Sequence, residues 1–192
     1  MKRHEYEELG IPKEFLDVLD SASTSLKDIG FSMKFLMDLL NEDDWGFILK
    51  CHSLIDAALE KAILERCFQA PCEVNGVKKL SKIVSSFGFD GKAGKIAYIE
   101  AYGLLSKDKI NFLRALNTLR NAYSHSIKNV DLSIEDISEQ RPNERLLEKI
   151  YIYELEQKHV PKTDRARRFF ISLMVISIFA NLRLGSGEDA PL

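Results

Sequence analysis

The stretch from Asn41 to Phe68, NEDDWGFILKCHSLIDAALEKAILERCF, constrains the fold more than any other part of the chain. Asn41 to Asp44 supply an N-cap and first-turn acids. The apolar residues that follow, from Phe47 to Phe68, cover most of a helical circumference rather than one stripe. A helix that is apolar nearly all round has no solvent face, so it must lie in the middle of a bundle. The other helices must then wrap it.

The rest of the chain supplies those helices. Proline and glycine number 5 and 10 and fall between periodic segments, as expected of helices joined by short loops. Residues 11–23 read as a short amphipathic helix with Pro12 in its first turn, and residues 25–40 as another, weakened by Gly30. APCEVNG breaks the pattern after the central helix. KKLSKIVSSFGF and KAGKIAYIEAYGLL read as two shorter helices separated by Asp90-Gly91. Ser106 is placed to cap the next helix, KDKINFLRALNTLRNAYSHSI, with Asp108 against its dipole. KNVDLSIEDISEQRPN reads as irregular, with one turn begun by Ser133. ERLLEKIYIYELEQKH reads as helical, although KIYIY also fits a short strand, and the final helix spans about Asp164 to Leu182. The expected architecture is all-α, a single bundle of about six to eight helices. In domain terms, residues 1–40 form N-terminal accessory helices, 41–184 the bundle and 185–192 a disordered tail.

Composition excludes several classes. A formal net charge of -2 and a pI near 6.1 do not describe a basic nucleic-acid glove, so any RNA contact must come from a local patch. Cys51, Cys67 and Cys72 are an odd set with no C-x2-C spacing, which points to reduced thiols rather than a disulfide framework or structural zinc. The longest apolar run, FFISLMVISIFANL, falls short of the roughly 20 residues that span a bilayer. The expected setting is cytoplasmic, with no membrane contact, no metal and no cofactor.

Chemistry concentrates at LRNAYSHS, residues 119–126. At 100° per residue, Leu113, Leu116, Tyr123 and Ile127 share an apolar face that Phe112 and Leu119 widen. Arg120 lies inside that arc, flanked by Asn117, Asn121, Ser124 and then His125. A guanidinium in a core-facing stripe needs a partner. The sequence offers Asp56 and Glu60 on the central helix; a ligand phosphate or a second subunit would serve equally. His52 and Asp56, four apart, read as a core histidine paired to a carboxylate. Arginine suits charge building on a phosphorane, and histidine suits proton transfer near neutrality. Asn121 is placed to orient the imidazole, and Tyr123 to stack or hydrogen-bond. KHVPKTDRARR gathers Lys162, Arg165, Arg167 and Arg168 as a candidate contact with RNA backbone, set against a solvated helix start that needs a neutralising acid or anion.

Arg120, Asn121 and His125, as R-N-x3-H, resemble the motif of the HEPN superfamily of all-α domains. DDWGFILKCHSLIDAALEKAI is similar to the first long helix of its mannitol-repressor-like branches, with Asp56 as the matching acid. The resemblance covers roughly residues 41–130. It implies a metal-independent endoribonuclease acting as a homodimer, with the two R-x4-6-H segments facing across a cleft, in the manner of a toxin held by an antitoxin or a phage-defence component. For the mannitol-repressor-like branches it implies a regulatory or protein-binding role instead.

Overall fold

The computed structural model describes residues 33–67, 74–140, 143, 146–151 and 163–184. It is all-helical there: α1 Met33–Leu40, α2 Asp44–Cys67, α3 Val74–Ser85, α4 Lys95–Ala101, α5 Lys107–His125, α6 Ile134–Glu139, α7 Leu146–Ile150 and α8 Asp164–Leu184. A short 3-10 turn, Ile127–Asn129, follows α5. No strand occurs among the described residues, and the KIYIY segment is helical through Ile150. The first expected helix and most of Lys149–His159 lie outside the described residues.

The long apolar helix is the hub of the bundle, but it is not wrapped all round: Lys50, Ser53, Ala57, Lys61 and Glu65, spaced at three and four residues, form an exposed edge. α2 packs against α8, α5, α4 and α3, while α5 also meets α4, α6 and α7. Phe47, Ile48, Cys51, Ile55 and Leu59 on α2 are fully buried. They meet Leu113, Leu116 and Leu119 of α5 and Ile178 of α8 in one core. Burial pushes the Cys51 thiol well above its ordinary range, which keeps it an inert core filler. No helix among the described residues is long and apolar enough to cross a membrane.

Two devices fix the chain around α5. After His125 the backbone turns extended at Ser126, so Ile127 leaves the helical wheel and stands 88% exposed. It is therefore not part of the apolar face that the wheel assigned to it. Tyr123, buried, donates its hydroxyl to the Leu132 carbonyl at 2.9 Å, and Asn129 Nδ2 donates to the Ala122 carbonyl at 2.8 Å. The segment after α5 is also more ordered than its composition suggests. Ser133 Oγ accepts from the Asp136 N–H while the Asp136 carboxylate accepts from the Ser133 N–H, a reciprocal capping box that starts α6.

Two of the basic residues of α8, Arg167 and Arg168, are engaged by acids within the bundle. Arg167 is buried, with its guanidinium 2.5 Å from Glu135 and 2.9 Å from Asp164. Arg168 donates to the Glu42 carbonyl and lies 3.4 Å from Asp44 Oδ1. Asp44 also accepts the Ile134 N–H at 2.9 Å, so one carboxylate ties the starts of α2, α6 and α8. Burial raises its pKa; the Ile134 bond and then Arg168 oppose that. The neutralising acids demanded by a cationic helix start are thus Asp164, Glu135 and Asp44. Arg165 is half-buried, and Lys162 lies outside the described residues.

Candidate functional site

α2 and α5 cross with their polar residues facing one another. His52 and Asp56 of α2 look onto Asn117, Arg120 and Asn121 of α5 across a hollow of about 370 Å³. The third wall is the loop between α3 and α4, which brings Phe87, Phe89 and Asp90 to the rim and Lys95 to the floor. That loop is tight for stated reasons. The Lys95 N–H donates to the Gly88 carbonyl at 2.8 Å and the Ile96 N–H to the Phe89 carbonyl at 3.1 Å. Gly91 adopts φ 110°, and Gly94 lies so close to Asp90 that a Cβ there would sit 2.6 Å from a backbone carbon.

Lys95 takes the carboxylates that the sequence assigns to Arg120. Its ammonium, 2% exposed, lies 2.8 Å from Asp56 Oδ1 and 3.5 Å from Glu60 Oε2. Glu60 also accepts from Ser85 Oγ at 2.5 Å. Arg120 is half-buried, and its Nη1 donates to Asn121 Oδ1 at 3.0 Å. Among the described residues it has no ion pair. The expected Arg120–Asp56 or Arg120–Glu60 pair is therefore replaced by a lysine pair, and the guanidinium opens onto the hollow.

His52 does not pair with Asp56. Its Nε2 lies 3.2 Å from Asn117 Oδ1, and its ring packs on Phe89 with centroids 4.0 Å apart. An amide oxygen only accepts, so Nε2 carries the proton and Nδ1 the lone pair. Burial lowers the His52 pKa, and the nearby charges of Arg120 and Lys95 push the same way; the Asn117 bond and Asp56 oppose. Burial thus favours the neutral imidazole.

His125 ends α5 in solvent and does not line the hollow. Ser124 beside it is exposed too. The structure therefore brings Arg120 and Asn121 together with Asp56, leaves His125 outside that group, and places Tyr123 in the core. Glu60 belongs to the floor through Lys95. Lys95, Phe87 and Phe89 escape a reading of motif spacing. The available signal for Lys95 is the Asp56/Glu60 pair one helical turn apart on an apolar helix, which demands a cation from elsewhere in the chain.

The arrangement is a concave site with a guanidinium that has no ion pair among the described residues, an imidazole, two amides and an aromatic rim, suited to an anion joined to a flat apolar group. Among the described residues, no three His, Cys, Asp or Glu side chains gather as metal ligands. No family model, curated protein or solved structure matches the chain.

Proposed function

We propose that the chain is a HEPN-like RNA-binding domain whose activity is metal-independent cleavage of the RNA backbone. The observation that supports it is Arg120: a guanidinium facing a hollow, with its neighbouring carboxylates already neutralised by Lys95. In the reaction the ribose 2′-oxygen forms a bond to phosphorus while the P–O5′ bond breaks. The 2′-hydroxyl proton goes to a base and a proton is returned to the leaving O5′. Arg120 holds the charge on the phosphorane, Asn121 fixes the guanidinium, and His125 moves a proton.

His125 lies outside the hollow, so this chemistry calls for a second copy that brings its exposed α5 end to the strand held by the first. The exposed His125 and Ile127 together offer a surface for such a homodimer. A toxin or phage-defence role, with an antitoxin covering the same surface, belongs to this proposal.

The second reading is a non-catalytic regulatory or protein-binding domain of the mannitol-repressor-like type. The separation of His125 from the Arg120 hollow favours it. Purified protein incubated with single-stranded RNA in EDTA separates the two. Cleavage leaving 2′,3′-cyclic phosphate ends, abolished by His125→Ala and by Arg120→Ala, is the expected result. Equal cleavage by wild type and His125→Ala, or none by either, rejects the nuclease.

A further inference from the structure

A row of aromatic rings runs from the hollow to solvent. Phe87, in the hollow wall, has its centroid 6.2 Å from Tyr98 at an interplanar angle of 29°. Tyr98 lies 5.2 Å from Tyr102 at 19°. Tyr102 is 53% exposed. Tyr98 and Tyr102 are one turn apart on and just after α4, and such pairs stack for local reasons. Phe87 comes from a different segment, packs with Tyr98 against the core, and extends the row into the hollow. The outermost ring stays open to water.

Charge along the row is arranged consistently. Glu100 and Asp90, the carboxylates nearest these rings in sequence, are both answered by Arg114, at 2.6 Å and 3.9 Å. Asp56 is answered by Lys95. What remains at the inner end of the row is the guanidinium of Arg120.

We propose that the row is a base-stacking subsite for single-stranded RNA, one base resting on the outer face of Tyr102 while a backbone phosphate of the same strand meets Arg120. It rests on the reading of the hollow as a phosphate site. Aromatic faces accept any base, and Arg holds phosphate without reading sequence, so recognition here is by strandedness and not by base identity. In a duplex the base faces are covered by their neighbours and unavailable to Tyr102.

The test is fluorescence anisotropy with the full chain and a dye-labelled single-stranded RNA of about eight nucleotides, within the usual footprint of such sites. Tyr102→Ala should weaken binding about tenfold, the usual effect of losing one base–aromatic stack, while Tyr102→Trp should retain it. The same sequence as a duplex should bind at least about tenfold more weakly. Wild-type affinity in Tyr102→Ala, a preference for duplex, or no binding by the wild type overturns the subsite. Cleavage that persists unchanged in Tyr102→Ala removes the subsite and leaves the nuclease standing. Tyr102-dependent binding with no cleavage does the reverse.

Discussion

Lys95 and Asp56 form an ion pair at 2.8 Å, and that contact decides what Arg120 is free to do. Because the lysine is 2% exposed and Glu60 sits only 3.5 Å away, Asp56 and Glu60 of α2 are already matched from α4. Arg120→Ala should therefore change stability by less than about 1 kcal/mol, the ordinary range for a partly exposed side chain without a buried partner. Asp56→Ala should cost more. A broken buried pair costs roughly 3–5 kcal/mol, but Asp56 is 37% exposed and screening reduces this to about 2. Urea unfolding of both variants checks the ranking. An Arg120→Ala loss as large as that of Asp56→Ala would mean that the guanidinium is a structural ion-pair partner after all.

Much of this fold was legible because local rules and tertiary packing agree. The central helix announces itself by its long apolar run, although its Lys50–Ser53–Ala57–Lys61–Glu65 edge meets solvent, and α5 begins after Ser106 as expected, although the Ser106 side chain makes no capping hydrogen bond. The site was less legible. Arg120 was readable as a misplaced cation, but its partner was not, since Lys95 reaches Asp56 only through a loop closed by Gly91 and Gly94. A wheel also assumes that the helix continues: Ile127 lies on the apolar face only if α5 does not stop at His125. Arg167 and Arg168 looked like a surface patch because nothing in their spacing reveals Glu135 or Asp44 across the bundle.

pH provides an independent check on His52. Its folded pKa lies below the ordinary 6.5, so the unfolded chain takes up the proton first. The stability this provides is fully present above about pH 6.5 and is lost as pH falls toward the folded value. Asp44, raised by burial, works the other way, its contribution being lost as pH rises through its folded pKa from the ordinary 3.8. Asp136, held down by Ser133, matters only as pH falls below 3.8. Comparing wild type with His52→Gln isolates the imidazole, because glutamine keeps a donor for Asn117. Between pH 7 and 5 the wild type should lose more stability than the variant. Parallel curves would show that His52 is not held neutral.

The glycine loop that aims Lys95 should resist a single methyl. At Gly94 a Cβ would meet the Asp90 carbonyl oxygen at 2.7 Å, and that backbone is held by the hydrogen bonds onto Gly88 and Phe89. Gly94→Ala should cost about 1–3 kcal/mol, the usual penalty for overpacking. If the hollow holds RNA as proposed, the change should also weaken that binding by displacing the hollow's third wall. A thermal melt with the anisotropy assay measures both, and an unshifted melting temperature would show that the loop yields freely.

Arg167 tests whether α8 contributes to the proposed RNA contact. Its side chain is 5% exposed, while its partners Glu135 and Asp164 are 47% and 53% exposed. Arg167→Met preserves much of the aliphatic stem and leaves two carboxylates that water can reach. The expected loss is about 2 kcal/mol, below the roughly 3–5 of a pair stranded wholly in the interior. If the chain binds RNA as proposed, its affinity and salt dependence should stay unchanged, because a guanidinium enclosed by α6 and α8 cannot meet a phosphate. A phosphate-contacting arginine behaves oppositely: its loss spares stability and lowers the slope of log affinity against log salt by about one. Unfolding and a salt titration of the same variant therefore decide between the two roles. A flattened salt slope with intact stability would put Arg167 at the RNA surface and turn α8 outward.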